Sequence, residues 1–132
     1  MAKVATRSAC VIAGATPAQV RAVAATEHVT IRENRIGTLV TGQIDGLVID
    51  YAAELPGPVY DVMYNAGTSW FAVTVYRGEA QPSRWDNRPG EDAGYPRIPD
   101  VLGATTPAAI LEALDIPAEA LGYGAGSSGP TA

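Results

Sequence analysis

The feature that most constrains the fold of this chain is an alternation of large apolar side chains with smaller or polar ones across residues 58–77. Successive residues of a β-strand point to opposite faces of a sheet, so a period of two is typical of strands. The alternation is interrupted near Gly67, where the run Asn-Ala-Gly-Thr favours a turn because glycine reaches positive φ at little steric cost. The segment therefore predicts a β-hairpin around which the other elements are arranged.

The two faces of this hairpin differ in polarity, and the difference predicts how its strands pair. Asp61 belongs in water, so the strand face that carries it should point outward. The buried face then carries Tyr60, Val62, Tyr64, Phe71, Val73 and Val75. A loop of two or four residues, pairing Tyr64 with Ser69 and Val62 with Phe71, unites this face. Because a five-residue loop would place Asp61 beside apolar side chains, we expect the first register.

The outward face of the hairpin is also rich in large side chains. It carries Met63, Trp70, Thr74 and Tyr76. A contiguous patch of this kind is too apolar to be left in water. We therefore expect a helix or a binding partner to cover it.

Shorter patterns predict the elements on either side of the hairpin. Further strands are expected at residues 4–12, 28–33, 38–44 and 47–52. Asp45 followed by Gly46 indicates a two-residue hairpin turn between the last two of these strands. Helices are expected where a threonine precedes a proline, at Thr16 and Thr106, since threonine caps free N–H groups and proline fits the first helical position.

The elements follow the order β-α-β-β-β-β-β-loop-α, which predicts a single α+β domain. We expect a mostly antiparallel, curved β-meander of about six strands, with two helices covering one face of the sheet. The domain is predicted to span residues 1–121, and it includes a long Pro- and Gly-rich loop at residues 79–100. Leu121 should be buried by a last short turn, and residues 122–132 are predicted to form a flexible Gly- and Ser-rich tail.

Composition and charge argue against several classes of function. The net charge of −5 disfavours nonspecific nucleic-acid binding, which depends on neutralising phosphates. The single cysteine, Cys10, rules out an intrachain disulfide and a cysteine-based zinc site. No apolar run approaches the ~18 residues of a membrane span, and the run after Arg7 is short for a signal peptide. We therefore expect a cytoplasmic protein that binds no membrane, nucleic acid, metal or cofactor.

Side chains suited to catalysis are few. His28 is the only histidine, and no nucleophile motif stands beside it. Cys10 lies in the first predicted strand, away from the positive charge or helix start that would activate a thiol. A run of carboxylates has no basic residue between its members, at Asp45, Asp50, Glu54 and Asp61. Acid–base or metal chemistry would need two of them to converge, so no catalytic residue is assigned.

The stretch with the strongest functional composition lies in the loop after the hairpin. Its candidate partner-binding residues are Arg84, Trp85, Asp86, Arg88, Tyr95 and Arg97. Tryptophan, tyrosine and arginine are the residues most enriched in interaction hot spots. In the alternative arrangement, Trp85 folds back against the edge of the sheet and its arginines are solvated neighbours.

Three functions stay open as hypotheses. The first is a non-enzymatic protein–protein interaction module, such as a regulator, an inhibitor or immunity-like protein, or an assembly subunit, that presents residues 79–100 on a sheet platform. The second is a small-ligand-binding or hydrolase-like domain whose pocket lies near His28, Tyr60, Tyr64 and the acidic residues. The third is a structural homo-oligomer, such as a virion component, that buries the outward hairpin face by self-association.

Overall fold

The computed structural model describes residues 6–44, 46–78, 80–87 and 94–124, and within these residues six strands form one curved antiparallel sheet. In chain order the elements are β1 (Thr6–Ala13), α1 (Pro17–Val23), β2 (Val29–Glu33), β3 (Gly37–Gly42), α2 (Leu47–Glu54), β4 (Val59–Asn65), β5 (Trp70–Tyr76), β6 (Ser83–Asp86) and α3 (Pro107–Leu114). A short 3₁₀ turn at Ala118–Ala120 follows α3. The predicted α+β class is confirmed.

The strands lie in the order β2-β3-β1-β4-β5-β6. β2 and β3 form one local hairpin, and β4 and β5 form another. β1 lies between these hairpins, where Ala9 is opposite Thr41 of β3 on one side and Val62 of β4 on the other. The first strand of the chain therefore joins two hairpins into one sheet.

Each face of the sheet has its own apolar core. α3 covers one face with Ile110, Leu111 and Leu114. α1 and α2 cover the other face with Val20, Val48, Tyr51 and Ala52. The expectation that the helices share one face was wrong, because the central strand has to be covered on both sides. Its residues Ala9, Cys10, Val11 and Ile12 are all fully buried although they alternate between the two faces.

Both predicted helix starts are present. Thr16 Oγ1 accepts a hydrogen bond from the Gln19 backbone N–H at 3.1 Å, and Gln19 Oε1 accepts one from the Thr16 N–H at 2.9 Å. This reciprocal pair is a capping box. Thr106 caps α3 in the same way through a 3.2 Å bond from the Ala109 N–H. The threonine–proline pattern therefore located α1 and α3 correctly.

The predicted fourth strand is instead the helix α2, Leu47–Glu54. Its buried residues, Val48, Tyr51 and Ala52, are spaced three and four apart, as on one face of a helix. Gly46 precedes the helix with φ of 83°, a left-handed conformation that glycine adopts readily. The glycine predicted to lie in a hairpin turn thus caps the start of a helix, while Asp45, the other residue of the predicted turn, lies outside the described residues.

The sixth strand lies inside the predicted 79–100 loop. β6, Ser83–Asp86, pairs with β5, and the chain then returns beside it in a parallel direction at Arg97. Arg84 donates its backbone N–H to the Pro96 carbonyl at 2.9 Å and accepts from the Ile98 N–H at 3.0 Å. The loop prediction was therefore wrong at these positions, because a strand of four residues gives too short an alternation to be noticed among prolines and glycines.

The hairpin of β4 and β5 has the predicted faces and a different register. Tyr64 lies opposite Phe71 and Val62 opposite Val73, two residues away from the expected pairing. A shift by two leaves every side chain on its own face, so the buried set of tyrosines, valines and Phe71 is confirmed. The turn residue Ser69 adopts φ of 62°, and Asn65 is the last β4 residue that pairs.

The C-terminal end of the described chain packs on the sheet. Leu121 is 1% exposed, which confirms its predicted burial. The ring of Tyr123 lies 5.0 Å from that of Tyr64 and 5.8 Å from that of Phe71, in edge-on arrangements. Core packing therefore continues past residue 121, where the tail was predicted to begin. Residues 125–132 of the predicted tail and residues 4 and 5 of the first predicted strand lie outside the described residues.

Candidate functional site

The face of the sheet that α1 and α2 partly cover carries a row of polar side chains across β1, β4, β5 and β6. Cys10, Asp61, Thr74 and Arg84 are directly opposite one another on four adjacent strands. Directly opposite residues of an antiparallel pair have Cβ atoms about 4.5–5.5 Å apart, so neighbours in this row interact. The row starts in the core beneath α2 and ends at the rim of the sheet. It therefore leads from buried to accessible groups across the half of the face where β5 and β6 lie.

Arg84 is held in place by three different groups. Its Nε donates a hydrogen bond to Thr74 Oγ1 at 2.9 Å. Its Cζ atom lies 4.1 Å from the centre of the Tyr95 ring and 5.8 Å from that of the Trp70 ring. Both distances lie within the ~6 Å at which a cation is attracted by an aromatic ring. Arg84 is therefore preorganised and only partly buried, with an aromatic ring on each of two elements beside it.

Tyr95 reaches this position because the chain returns along β6. The two backbone hydrogen bonds between Arg84 and the residues Pro96 and Ile98 align the returning segment with the strand. An ion pair strengthens the alignment, since Arg97 Nη1 lies 3.3 Å from Oδ2 of Asp86. Asp86 is only 3% exposed whereas the Arg97 side chain is 38% exposed, so the pair links a buried carboxylate to a guanidinium at the rim of the sheet. We name the surface formed by Trp70, Tyr76, Arg84 and Tyr95 the aromatic–arginine face.

The pKa of Tyr76 is shifted by burial and by several neighbouring ionisable groups. Burial raises the pKa of its phenol, and the nearby Asp61 and Tyr95 raise it further, while Arg84 acts in the opposite direction. The pKa of the Cys10 thiol is raised strongly, first by burial and then by Asp61. At neutral pH both groups therefore keep their protons. Tyr76 can donate a hydrogen bond, and Cys10 lacks the thiolate that nucleophilic chemistry requires.

A cavity of about 150 Å³ opens beside this face, between the start of α2 and the sheet. Oδ1 of Asp61 is buried there. The lining residues are Ser8, Ile44, Gly46, Val48, Ile49, Asp61, Met63 and Tyr76. Ile49 is 55% exposed, which is unusual for a large aliphatic side chain. Tyr76 belongs both to this cavity and to the aromatic–arginine face, so the two features are continuous.

The structure separates the predicted partner-binding residues into two groups. Arg84 and Tyr95 come together on the aromatic–arginine face. The Asp86–Arg97 pair lies next to them, two residues further along each segment. Trp85 points to the opposite side, where it is 8% exposed and its ring meets that of Phe71 edge-on at 6.2 Å. This is the arrangement in which Trp85 folds back onto the sheet, so its ring is not presented to a partner. Arg88 lies outside the described residues.

The residues of the predicted pocket do not meet. His28 is exposed in the turn before β2, and its Nε2 lies 3.7 Å from a carboxylate oxygen of Glu27. Tyr60 and Tyr64 lie on the face covered by α3, and they line two different cavities, of about 230 and 260 Å³. The structure therefore offers no shared site for His28 and the two tyrosines.

The acidic residues are also dispersed. Asp50 and Glu54 are exposed on α2, whereas Asp61 lies in β4, and Asp45 falls outside the described residues. Among the residues that the structure describes, no three histidine, cysteine, aspartate or glutamate side chains are grouped so that they could hold a metal ion. None of the described helices has the length and apolar character needed to cross a membrane. The geometry thus leaves the aromatic–arginine face and its adjoining cavity as the candidate site.

Part of this site was visible in the sequence. The outward hairpin face was expected to need cover, and the arrangement of Arg84 and Tyr95 beside Trp70 supplies part of that cover from the following segment. The position of Asp61 opposite Thr74 could not be predicted, because it depends on the register of β4 against β5. The sequence pattern predicts a strand at residues 47–52, so it does not indicate that α2 forms a wall of the cavity. Comparison of the chain with protein-family models, curated proteins and solved structures found no match.

Proposed function

We propose that this protein is a non-enzymatic protein-binding module and that the aromatic–arginine face is its binding surface. The observation that carries the proposal is the placement of Arg84 next to the rings of both Tyr95 and Trp70, with its Nε bound to Thr74. Tyrosine, tryptophan and arginine dominate the binding energy of protein interfaces when they are clustered and partly desolvated. Here they are clustered on a rigid sheet.

Preorganisation supports this proposal further. A free arginine side chain loses about 0.5–1.5 kcal/mol of conformational freedom when a partner fixes it. Arg84 is already fixed by its hydrogen bond and its ring contacts, so most of that loss has occurred before binding. Ile49, 55% exposed at the adjoining cavity, extends the surface with an aliphatic group. The surface thus has polar, aromatic and aliphatic parts, as interface cores commonly have.

The roles of regulator, inhibitor and assembly subunit all use such a surface, and they differ in the partner. Site-specific photo-crosslinking can identify that partner. A benzophenone amino acid is placed at Tyr95 in the full chain, and as a matched control at Arg32, an exposed residue of the distant strand β2. We expect a crosslink to one protein from the Tyr95 position and none from Arg32. Equal crosslinking from both positions would contradict the proposed surface.

The purified partner then allows a quantitative test. Arg84→Ala is expected to raise the Kd at least about 30-fold, which corresponds to the ~2 kcal/mol of a hot spot. Arg32→Ala should leave the Kd unchanged, and thermal melting of both variants checks that the fold is retained. If Arg84→Ala binds as tightly as the natural chain, the proposal is wrong. If the crosslinked partner is a second copy of this chain, light scattering should show a dimer that Arg84→Ala dissociates.

A further inference from the structure

Among the described residues that line it, the cavity beside the aromatic–arginine face has one charged group and otherwise apolar or neutral walls. Asp61 is the charged residue among the eight that line it. Ile44, Val48, Ile49 and Met63 supply aliphatic surface, and Ser8 and Tyr76 supply hydroxyl groups. A carboxylate among apolar walls complements a ligand with an apolar stem and a cationic end. Lysine has this form, since it buries its methylene groups along apolar surface and carries an ammonium at the tip.

The size of the cavity agrees with this chemistry. Its volume is about 150 Å³. An engineered protein cavity of ~150 Å³ admits benzene, and a lysine side chain beyond Cβ has fewer non-hydrogen atoms than benzene. An arginine side chain beyond Cβ has as many non-hydrogen atoms as benzene, and its planar guanidinium is broader than an ammonium. The confined space therefore favours lysine over arginine.

The electrostatics of the walls agree as well. Asp61 raises the pKa values of both Cys10 and Tyr76, so its negative charge acts on groups of both neighbouring strands, β1 and β5. Arg84, the nearest positive group in the row, lies two strands away and is engaged by Thr74. A carboxylate has lone pairs for several donors, so an ammonium can be added to the contacts that Asp61 already makes.

We infer that this cavity receives a lysine side chain of the protein that binds the aromatic–arginine face, with the ammonium at Asp61 and the stem between Ile49 and Met63. This inference rests on the proposed function and names the anchor residue of its partner. The continuity of the two features through Tyr76 allows one partner to occupy both. Tyr76, as a neutral phenol, is then the neighbouring hydroxyl of the buried ammonium.

Small lysine probes test the inference without the partner. The methyl signals of Met63 and Ile49 are followed by NMR in the full chain during titration with Nα-acetyl-lysine methylamide, whose side-chain ammonium is free. The matched probe is acetyl-norleucine methylamide, which has the stem and lacks the charge. We expect saturable shifts with the lysine probe, at least tenfold weaker binding of the norleucine probe, and weaker lysine binding in high salt.

Variants of the chain complete the test. Asp61→Asn should reduce lysine-probe binding at least tenfold, while Asp50→Asn, a change of charge at an exposed residue of α2, should leave it unchanged. Equal binding of the two probes, or saturable binding of neither, would overturn the inference. If Asp61→Asn melts at a lower temperature, the comparison of the two probes on the natural chain still decides.

The outcomes separate the two proposals. Loss of partner binding in Arg84→Ala together with no binding of the lysine probe overturns the lysine anchor alone. Specific binding of the lysine probe together with unchanged partner binding in Arg84→Ala overturns the proposed face and the partner assignment. In that case the cavity is a site for a free alkylamine, and the stated source of the lysine is wrong.

Discussion

Replacing Trp85 by alanine is expected to lower the free energy of unfolding by about 4 kcal/mol. The indole is 8% exposed and packs edge-on against Phe71 with their ring centres 6.2 Å apart. A large aromatic side chain buries about 150–250 Å², and at about 25 cal/mol per Å² this gives about 4–6 kcal/mol as an upper value. Measured losses for such truncations are about 3–5 kcal/mol, because the cavity only partly collapses.

Trp70→Ala is the matched control for this prediction. Trp70 is half-buried on the opposite face of the sheet, and the centre of its ring lies 5.8 Å from Arg84 Cζ. A cation–π contact is worth about 0.5–1 kcal/mol, and the partly buried ring adds roughly 1–2 kcal/mol of apolar contact, so we expect a loss of about 2 kcal/mol. Trp70→Ala should weaken partner binding instead, because it removes one side of the aromatic–arginine face.

Urea unfolding followed by circular dichroism measures both variants. The difference of about 2 kcal/mol between them should appear as a lower midpoint for Trp85→Ala with an unchanged slope. At about 4 °C per kcal/mol, Trp85→Ala should also melt about 15 °C lower than the natural chain. If Trp85→Ala loses no more than Trp70→Ala, Trp85 does not belong to the core, and the separation of the predicted site residues into two groups is wrong.

Two further predictions concern single positions. Burial raises the pKa of Cys10 far above its ordinary value of 9.0, so the stabilisation it provides is complete below pH 9.0 and declines above it, where only the unfolded thiol ionises. Between about pH 8 and pH 10 the free energy of unfolding should therefore fall less in Cys10→Ala than in the natural chain. An equal fall in both chains would show that Cys10 is not responsible. Leu102 is 54% exposed and adopts φ of 53°, which costs a residue with a side chain about 1–2 kcal/mol. Leu102→Gly should therefore stabilise the fold by about 0.5–1 kcal/mol, once the greater conformational entropy of glycine in the unfolded chain is subtracted. Gly103→Ala, at φ of 85°, should destabilise the fold. A higher melting temperature for Gly103→Ala than for Leu102→Gly would refute both expectations.

Local patterns in the sequence predicted those elements whose signals are local. The threonine–proline pairs located α1 and α3, and the alternation around Gly67 predicted the hairpin and its buried face. The register was missed by two residues because either pairing keeps the same side chains buried. Hydrophobic pattern alone therefore fixes the face of a strand and not its alignment.

The error at α2 has a similar origin. An apolar segment of eight residues with few polar interruptions is compatible with both a buried strand and a short helix. The choice was decided by packing, since the helix places Val48, Tyr51 and Ala52 together against the sheet and lets the Tyr51 hydroxyl donate to the Ala24 carbonyl at 3.0 Å. That carbonyl belongs to the end of α1, and no local pattern around residue 51 indicates it.

The candidate site was predictable in its residue types and not in its assembly. Residue type alone predicts Arg84 and Tyr95 as partner-binding residues, and both lie on the aromatic–arginine face. Trp85, one residue from Arg84, lies on the other side of the sheet because β6 alternates. Arg84 and Trp85 can be assigned to opposite faces only when residues 83–86 are known to form a strand.

The central place of β1 has a consequence for how the chain folds. Each of the local hairpins, β2–β3 and β4–β5, closes a short loop, so each forms with a small loss of chain entropy. β1 has to wait for residues far along the chain, since Ala9 pairs with Thr41 and Val62. During synthesis β1 therefore precedes both of its partners, and neither of its edges is paired until β3 and β4 have been made. Docking of β1 between the hairpins is expected to set the pace of folding, because pairing between distant residues is slow.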